Sequence, residues 1–353
     1  MDADHCGVYG RKAEKPNTIA ANGFEKVDPK DRRISSLVAD VGHSTIIHHT
    51  KFITMARIHA FFILAALTFS SCDQASQSNG KIHRPPVTAQ DTLAARGAYS
   101  DVNGIKIYYE VYGKGKPLVL IHGGGSTIAS SFGRILPLLA GHYEVIAPAL
   151  QNHGRSGFRN IPETFEQDAE DVLGLLKNMG IDKASFFGFS NGGTTALQIA
   201  IHHPEKVNKL VLASATYKRD GLPAGFFDGM KQATLEQMPP ELKAAFLKVN
   251  PDTAKLRIMF EKDRDRMIAF KDIGDKQIKS ITAPTLIINA DNDVVRPEQA
   301  VRLFRLLPNA RLAIIPGHHG EYMGEVTTLK SDSTEFRFVI PMIERFLDQP
   351  GKP

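Results

Sequence analysis

Between residues 97 and 348, short apolar runs rich in β-branched and aromatic residues alternate with segments whose apolar positions recur at helical spacing. The runs cover residues 105–112, 117–121, 144–147, 184–187, 209–213, 284–289 and 311–315. Short runs bounded by turn residues read as strands, and their alternation with helical periodicity predicts an α/β fold with a mainly parallel sheet flanked by helices. Ile105 to Tyr112 reads as an early antiparallel strand. Thr164-Phe165-Glu166-Gln167 fits a capping box, after which Phe165, Ala169, Val172, Leu176 and Met179 form one buried stripe until Gly180 ends it. Residues 216–279 interrupt the alternation with a helix-rich stretch that includes "GLPAGFFDGMKQATLEQMPPELKAAFLKV". Such an insertion predicts a cap over the C-terminal edge of the sheet. Its Phe226, Phe227, Met230, Met238, Phe246, Met259, Phe260, Met267 and Phe270 are expected to form mostly the cap's own core, with some lining a pocket.

The pattern upstream is different. Residues 55–74, "MARIHAFFILAALTFSSCDQ", place a basic start at Arg57 before an apolar stretch from Ala60 to Phe69 and small residues ahead of Cys72. That stretch is shorter than the ~18 apolar residues a bilayer span requires, and it suits a secretory signal. Since a signal belongs at an N-terminus, translation is expected to begin at Met55, leaving 1–54 as a structureless upstream extension. Phe69-Ser70-Ser71-Cys72 resembles the lipobox of bacterial lipoproteins, with Phe69 where Leu is usual. The resemblance implies a signal over 55–72, lipidation of Cys72 and an exported protein tethered to a bacterial membrane. Polar, Pro-dotted residues 73–96 read as the tether between lipid and enzyme, and 97–348 as the domain itself.

Composition narrows the partners. With 42% hydrophobic and 23% charged residues the chain is an ordinary globular one. The net charge is +5; nine Lys/Arg stand against seven Asp/Glu in residues 1–72, leaving 34 against 31 in the remainder. So small an excess, without a basic run, argues against a nucleic-acid partner. Cys6 and Cys72 are the two cysteines, so a disulfide framework is excluded.

The chemistry centres on "FFGFSNGGTT", where an apolar strand meets a helix across Ser190. Gly188-Phe189-Ser190-Asn191-Gly192 matches the G-x-S-x-G nucleophile elbow, whose glycines give clearance for a sharp strand-to-helix turn. A serine hydroxyl needs a base within reach and a group to orient that base. Downstream, "DNDVVRP" offers Asp291 and Asp293, and "IIPGHHGEYMGE" offers His318 and His319. His202 and His203 read as solvent-facing residues at a helix end, and nothing in their spacing signals a metal site. His122 and His153 read as loop supports, and Asp291 as a turn former.

Taken with "VLIHGGGS", "HGRSG" and "ADNDVVRPEQA", the chain resembles the α/β-hydrolase family, of the single-serine, cap-bearing kind, across roughly residues 97–348. The resemblance implies Ser190 as nucleophile, Asp293 as acid and His319 as base, with Asp291 and His318 as alternates. It further implies an oxyanion hole from the backbone N–H groups of Gly124 and Asn191, no cofactor and no metal. The expected activity is hydrolysis of a small-molecule carboxylic ester through an acyl-enzyme. Carbon–carbon bond hydrolases and cofactor-free perhydrolases use the same three residues, and a non-catalytic binding protein on this scaffold is the rival of another class. Serine at position 190 excludes the family's dehalogenases and epoxide hydrolases, which use a carboxylate there.

Overall fold

The computed structural model describes residues 96–329 and 334–350. The extension 1–54, the signal 55–72 with Cys72, and the tether up to residue 95 lie outside the described residues.

Eight strands form one sheet: β1 (Arg96–Val102), β2 (Ile105–Tyr112), β3 (Lys116–Ile121), β4 (Tyr143–Pro148), β5 (Ala184–Phe189), β6 (Val207–Ala213), β7 (Thr285–Asn292) and β8 (Ala310–His318). Their spatial order is β1-β2-β4-β3-β5-β6-β7-β8. β1 pairs antiparallel with β2 and β2 antiparallel with β4, whereas every later pair is parallel. The first strand has no counterpart among the runs read from the sequence. Asn103 and Gly104, both at positive φ, turn β1 into β2, and this Asn-Gly pair is the standard signal of a two-residue hairpin.

Helices cover both faces. They are α1 (Ile128–Phe132), α2 (Leu136–Leu139), α3 (Phe165–Asn178), α4 (Asn191–His202), α5 (Phe226–Gln232), α6 (Pro240–Val249), α7 (Thr253–Ala269), α8 (Asp275–Lys279), α9 (Pro297–Leu306) and α10 (Phe336–Asp348). Because side chains alternate across a strand, β3 sends Val119 and Ile121 into one apolar layer with α3, α4, α8 and α9. Leu118 and Leu120 enter the opposite layer with α1, α2 and α10. All four are fully buried, as parallel strands covered on both faces require.

At α3, Thr164 accepts from Gln167 N–H, but the Gln167 side chain reaches Asp171 instead of closing the box. α5 to α8 all fall between β6 and β7, the helix-rich stretch seen in the sequence. Two further apolar clusters lie there, one around Phe270 and Met267 and one around Phe246 and Met259. The C-terminal ends of β3, β5, β6, β7 and β8 open on one edge of the sheet, where ligands of open α/β sheets bind.

Candidate active site

Ser190 sits between β5 and α4 with φ 52° and ψ −121°. A non-glycine residue there is strained by a few kcal/mol at most and persists only where its surroundings over-determine it. Those surroundings are the three glycines. A Cβ on Gly188 would lie 2.2 Å from the Gly192 carbonyl oxygen, one on Gly192 2.1 Å from that of Ile121, and one on Gly193 2.5 Å from Ala215 Cβ. None of the three needs a left-handed backbone; each is required because strand and helix nearly touch. Ser190 N–H donates to Ala213 O at 2.8 Å, pinning the elbow to the end of β6.

His319 follows β8, and its Nδ1 donates to Asp293 Oδ1 at 2.6 Å. Its ring packs on Phe189, the residue before Ser190, with centroids 4.9 Å apart. Asp293 also accepts from Val295 N–H (3.0 Å) on the same oxygen, and from Ser214 Oγ (2.5 Å) and Ala290 N–H (3.2 Å) on the other. Burial opposes ionisation of this carboxyl, but His319 and the Ser214 and Val295 donors hold it below the usual carboxylate range. The alternates are placed elsewhere: Asp291 is exposed and accepts from Gly317 N–H at 2.9 Å, and the exposed His318 donates its N–H to Glu321. Of the four acid–base pairs the sequence allowed, the structure joins Asp293 to His319. The hydrogen bond between Ser190 and His319 is not among those formed.

Ser214 and Tyr322 were not legible as site residues. Ser214 directly follows β6 at φ 49°, donates to Asp293 and lies 2.8 Å from the Tyr322 hydroxyl. The sequence signal was negative: "VLASAT" has no carboxylate, and a serine fills the place.

The backbone donors of the loop after β3 are unequally committed. Gly123 N–H donates to Ser131 Oγ at 3.3 Å, and Gly125 N–H to Asp263 of α7. Among the described residues, the Gly124 N–H between them and the Asn191 N–H that starts α4 donate to no protein group. The Asn191 side chain crowds Gly124, where a Cβ would lie 2.4 Å from its amide nitrogen.

Two buried histidines beneath the loop, 4.9 Å apart, take opposite charge states. His122 Nδ1 donates to Gly123 O (2.8 Å) while Nε2 accepts from Leu150 N–H (3.0 Å), so the ring is neutral; burial pushes it down to about 3. His153 faces acceptors on both nitrogens, Gln151 O and Asp263 Oδ2, each at 2.8 Å, so both carry protons. Burial alone would lower His153, but the Asp263 carboxylate raises it to about 9. Both histidines are the loop supports expected of them. His203, by contrast, is not simply solvated: it pairs with Glu170 at 2.6 Å.

A cavity of about 330 Å³ opens at Ser190, lined by Gly124, Gly125 and Asn191 and roofed from the β6–β7 insertion. Phe226, Met230, Met238, Phe260 and Met267 all line it, five of the nine residues expected mainly to fill a cap core. Amphipathic helices spread over an opening put apolar side chains on the cavity as well as between themselves. Polar lining comes from Ser214, Thr216, Gln237 and Asp263, and from Arg264, whose guanidinium pairs with Asp265 at 2.8 Å.

The alpha/beta hydrolase fold model matches residues 116–239. Over 243 residues the chain is 27% identical to the 2-hydroxy-6-oxo-6-(2'-aminophenyl)hexa-2,4-dienoic acid hydrolase of Metapseudomonas resinovorans, spanning 62% of this chain and 83% of that protein. It is 26% identical to a non-heme haloperoxidase of Rhodococcus erythropolis over 264 residues, 66% of this chain and 96% of the relative. A solved serine hydrolase involved in carbazole degradation superposes with a TM-score of 0.59 at 24% identity, covering 72% of this chain and 99% of its own. The protein is an enzyme of the α/β-hydrolase fold, a hydrolase with an eight-stranded, mostly parallel sheet flanked by helices.

Proposed function

We propose that the protein is a serine hydrolase cleaving carboxylic esters, with Ser190 as nucleophile, His319 as general base and Asp293 as its partner. The observation that carries this is the His319–Asp293 pair packed against Phe189, beside a serine held on a strained elbow. His319 Nδ1 is committed to Asp293, which leaves Nε2 to take the Ser190 proton as Oγ attacks the ester carbonyl. The tetrahedral oxyanion is received by the open N–H groups of Gly124 and Asn191, a stabilisation of ~3 kcal/mol per donor. Collapse breaks the carbonyl–alkoxide bond, His319 returns the proton to the leaving alcohol, and water repeats the sequence on the acyl-enzyme.

Relatives that include a dienoic acid hydrolase support carbon–carbon bond hydrolysis as a second reading on the same three residues. The cavity favours the first. Its wall is mainly apolar and Arg264 is already paired, which suits an uncharged ester better than an anionic acid. Export on a lipid at Cys72 is a separate proposal resting on residues 55–74 alone; incorporation of a labelled fatty acid that is lost in Cys72→Ala checks it.

Hydrolysis of p-nitrophenyl esters of graded acyl length, by the parent beside Ser190→Ala, tests the function. Turnover by the parent that vanishes in a folded variant is expected. A parent inert at every length, yet active on a 2-hydroxy-6-oxo-dienoate, would replace ester by carbon–carbon cleavage.

A further inference from the structure

Asp263 lies on α7, in the insertion, yet touches the loop that carries the open Gly124 donor. Its Oδ2 accepts from Gly125 N–H and from His153 Nε2 (2.8 Å), and its Oδ1 accepts from Arg266. Arg266, fully buried on the same helix, also donates to Asp168 Oδ2 at 2.5 Å and stands 3.6 Å from Glu163. Five ionisable groups thus meet under the insertion, drawn from α7, from α3 and its preceding turn, and from the loop after β4. Burying an ion costs several kcal/mol, and a buried pair is often no more stabilising than apolar packing of the same volume. The same helix also has an apolar seat, because its Leu256 and Met259 pack with Met238 and Phe246.

What the carboxylate adds is direction. A Cβ on Gly124 would lie 3.4 Å from Asp263 Oδ2, so the acceptor sits one peptide from the candidate oxyanion donor. With Gly123 N–H held by Ser131 and Gly125 N–H held by Asp263, Gly124 is fixed on both sides, and it lines the cavity beside Ser190. A bare anion at that place would oppose the charge developing on the substrate oxygen. The His153 imidazolium and the Arg266 guanidinium offset it.

We propose that Asp263 is a positioning residue for the oxyanion loop: its hydrogen bond to Gly125 aligns Gly124 only while α7 is seated, which couples placement of the insertion to catalytic competence. The role depends on the serine chemistry proposed above. It differs from a purely structural one in what it touches, since a loosened insertion would weaken substrate binding and lower the melting temperature, whereas a misaligned Gly124 lowers kcat.

The test compares the parent with Asp263→Asn, whose amide oxygen still accepts from Gly125, and Asp263→Leu, of similar shape with no acceptor. Three quantities are read in the full chain, well below the lowest melting temperature: the rate of Ser190 phosphonylation by a fluorophosphonate, kcat and KM on a p-nitrophenyl ester, and Tm. The leucine variant is expected to lose about 100-fold in kcat and in phosphonylation rate, the effect of losing one oxyanion donor, with KM changed less than about threefold. The asparagine variant is expected to recover most of that loss although its Tm falls as well. Equal losses in both variants, following Tm, would overturn the proposal, as would a leucine variant phosphonylated at the parental rate. A parent that is never phosphonylated would instead defeat the serine hydrolase reading itself.

Discussion

The floor and the roof of the cavity are built on opposite principles. The floor, around Ser190, is made by closeness: three glycines let a strand, a helix and two neighbouring strand ends approach until no Cβ fits between them. Nearly every contact there is between backbones, and the strained serine is a consequence of the approach. The roof meets the core through charge. Asp263 and Arg266 reach across 110 and 98 residues of sequence to His153 and Asp168, all four of them buried. Steric over-determination gives the floor one geometry, whereas the ionic contact is satisfied only when every partner is in place. The floor is therefore suited to holding a nucleophile and the roof to reporting that the site is assembled.

Changes on the floor are expected to have the largest effects. Ser190→Ala and His319→Ala should each reduce kcat on p-nitrophenyl esters by roughly 10⁴-fold or more with little change in Tm, since they remove the proposed nucleophile or base while leaving the packing. Gly192→Ala strikes the same region through its geometry. The new methyl would meet Ile121 O at 2.1 Å, so the elbow must move; a stability loss of about 2–3 kcal/mol by denaturant unfolding and a loss of activity beyond about 100-fold are expected.

A smaller effect is expected one layer away. Ser214→Ala removes a donor to the buried Asp293 carboxylate and leaves His319 as its remaining side-chain partner. A fall in kcat of about tenfold, an unchanged KM and a rise in the acid limb of the pH–rate profile would follow. If Ser214→Ala leaves that profile unmoved, the Tyr322–Ser214–Asp293 chain is structural only.

The roof answers to pH. His153 titrates at about 9 in the folded chain against 6.5 when exposed, because Asp263 holds its proton. A group raised on folding contributes stability that is fully present below pH 6.5 and lost as pH rises through 9. Thermal melts across that window should fall by several degrees in the parent, and His153→Gln should remove the dependence while the melts at pH 9 stay near the parent's. An equal decline in the variant would assign the alkaline loss to another group.

The contrast also explains what could be read from the chain. Local signals carried the floor: G-x-S-x-G between an apolar run and a helical one, the glycine loop after "VLI", and the "DNDVVRP" and "GHHGE" turns that end two strands. They left two choices open, Asp291 or Asp293 and His318 or His319, because adjacent residues on a turn differ only in where the backbone points them. β8 runs on to His318, so the next side chain is the one delivered to Asp293. The hairpin strand β1 is not legible as an apolar run, since "RGAYSDV" lacks a continuous one, although Asn103-Gly104 marks the turn that follows it. Asp263, Arg266, Asp168 and Glu163 gave no signal at all. Each looks like an ordinary surface charge on a helix or turn, and only the docking of α7 over the sheet turns them into buried partners.

The identity of the nucleophile is tested most directly by treating the protein with a fluorophosphonate and mapping the adduct by peptide mass spectrometry. One adduct per chain, on Ser190, abolished by Ser190→Ala and by prior heat denaturation, is the predicted result. An adduct on another residue, or none on a chain that still hydrolyses esters, would contradict the assignment of Ser190.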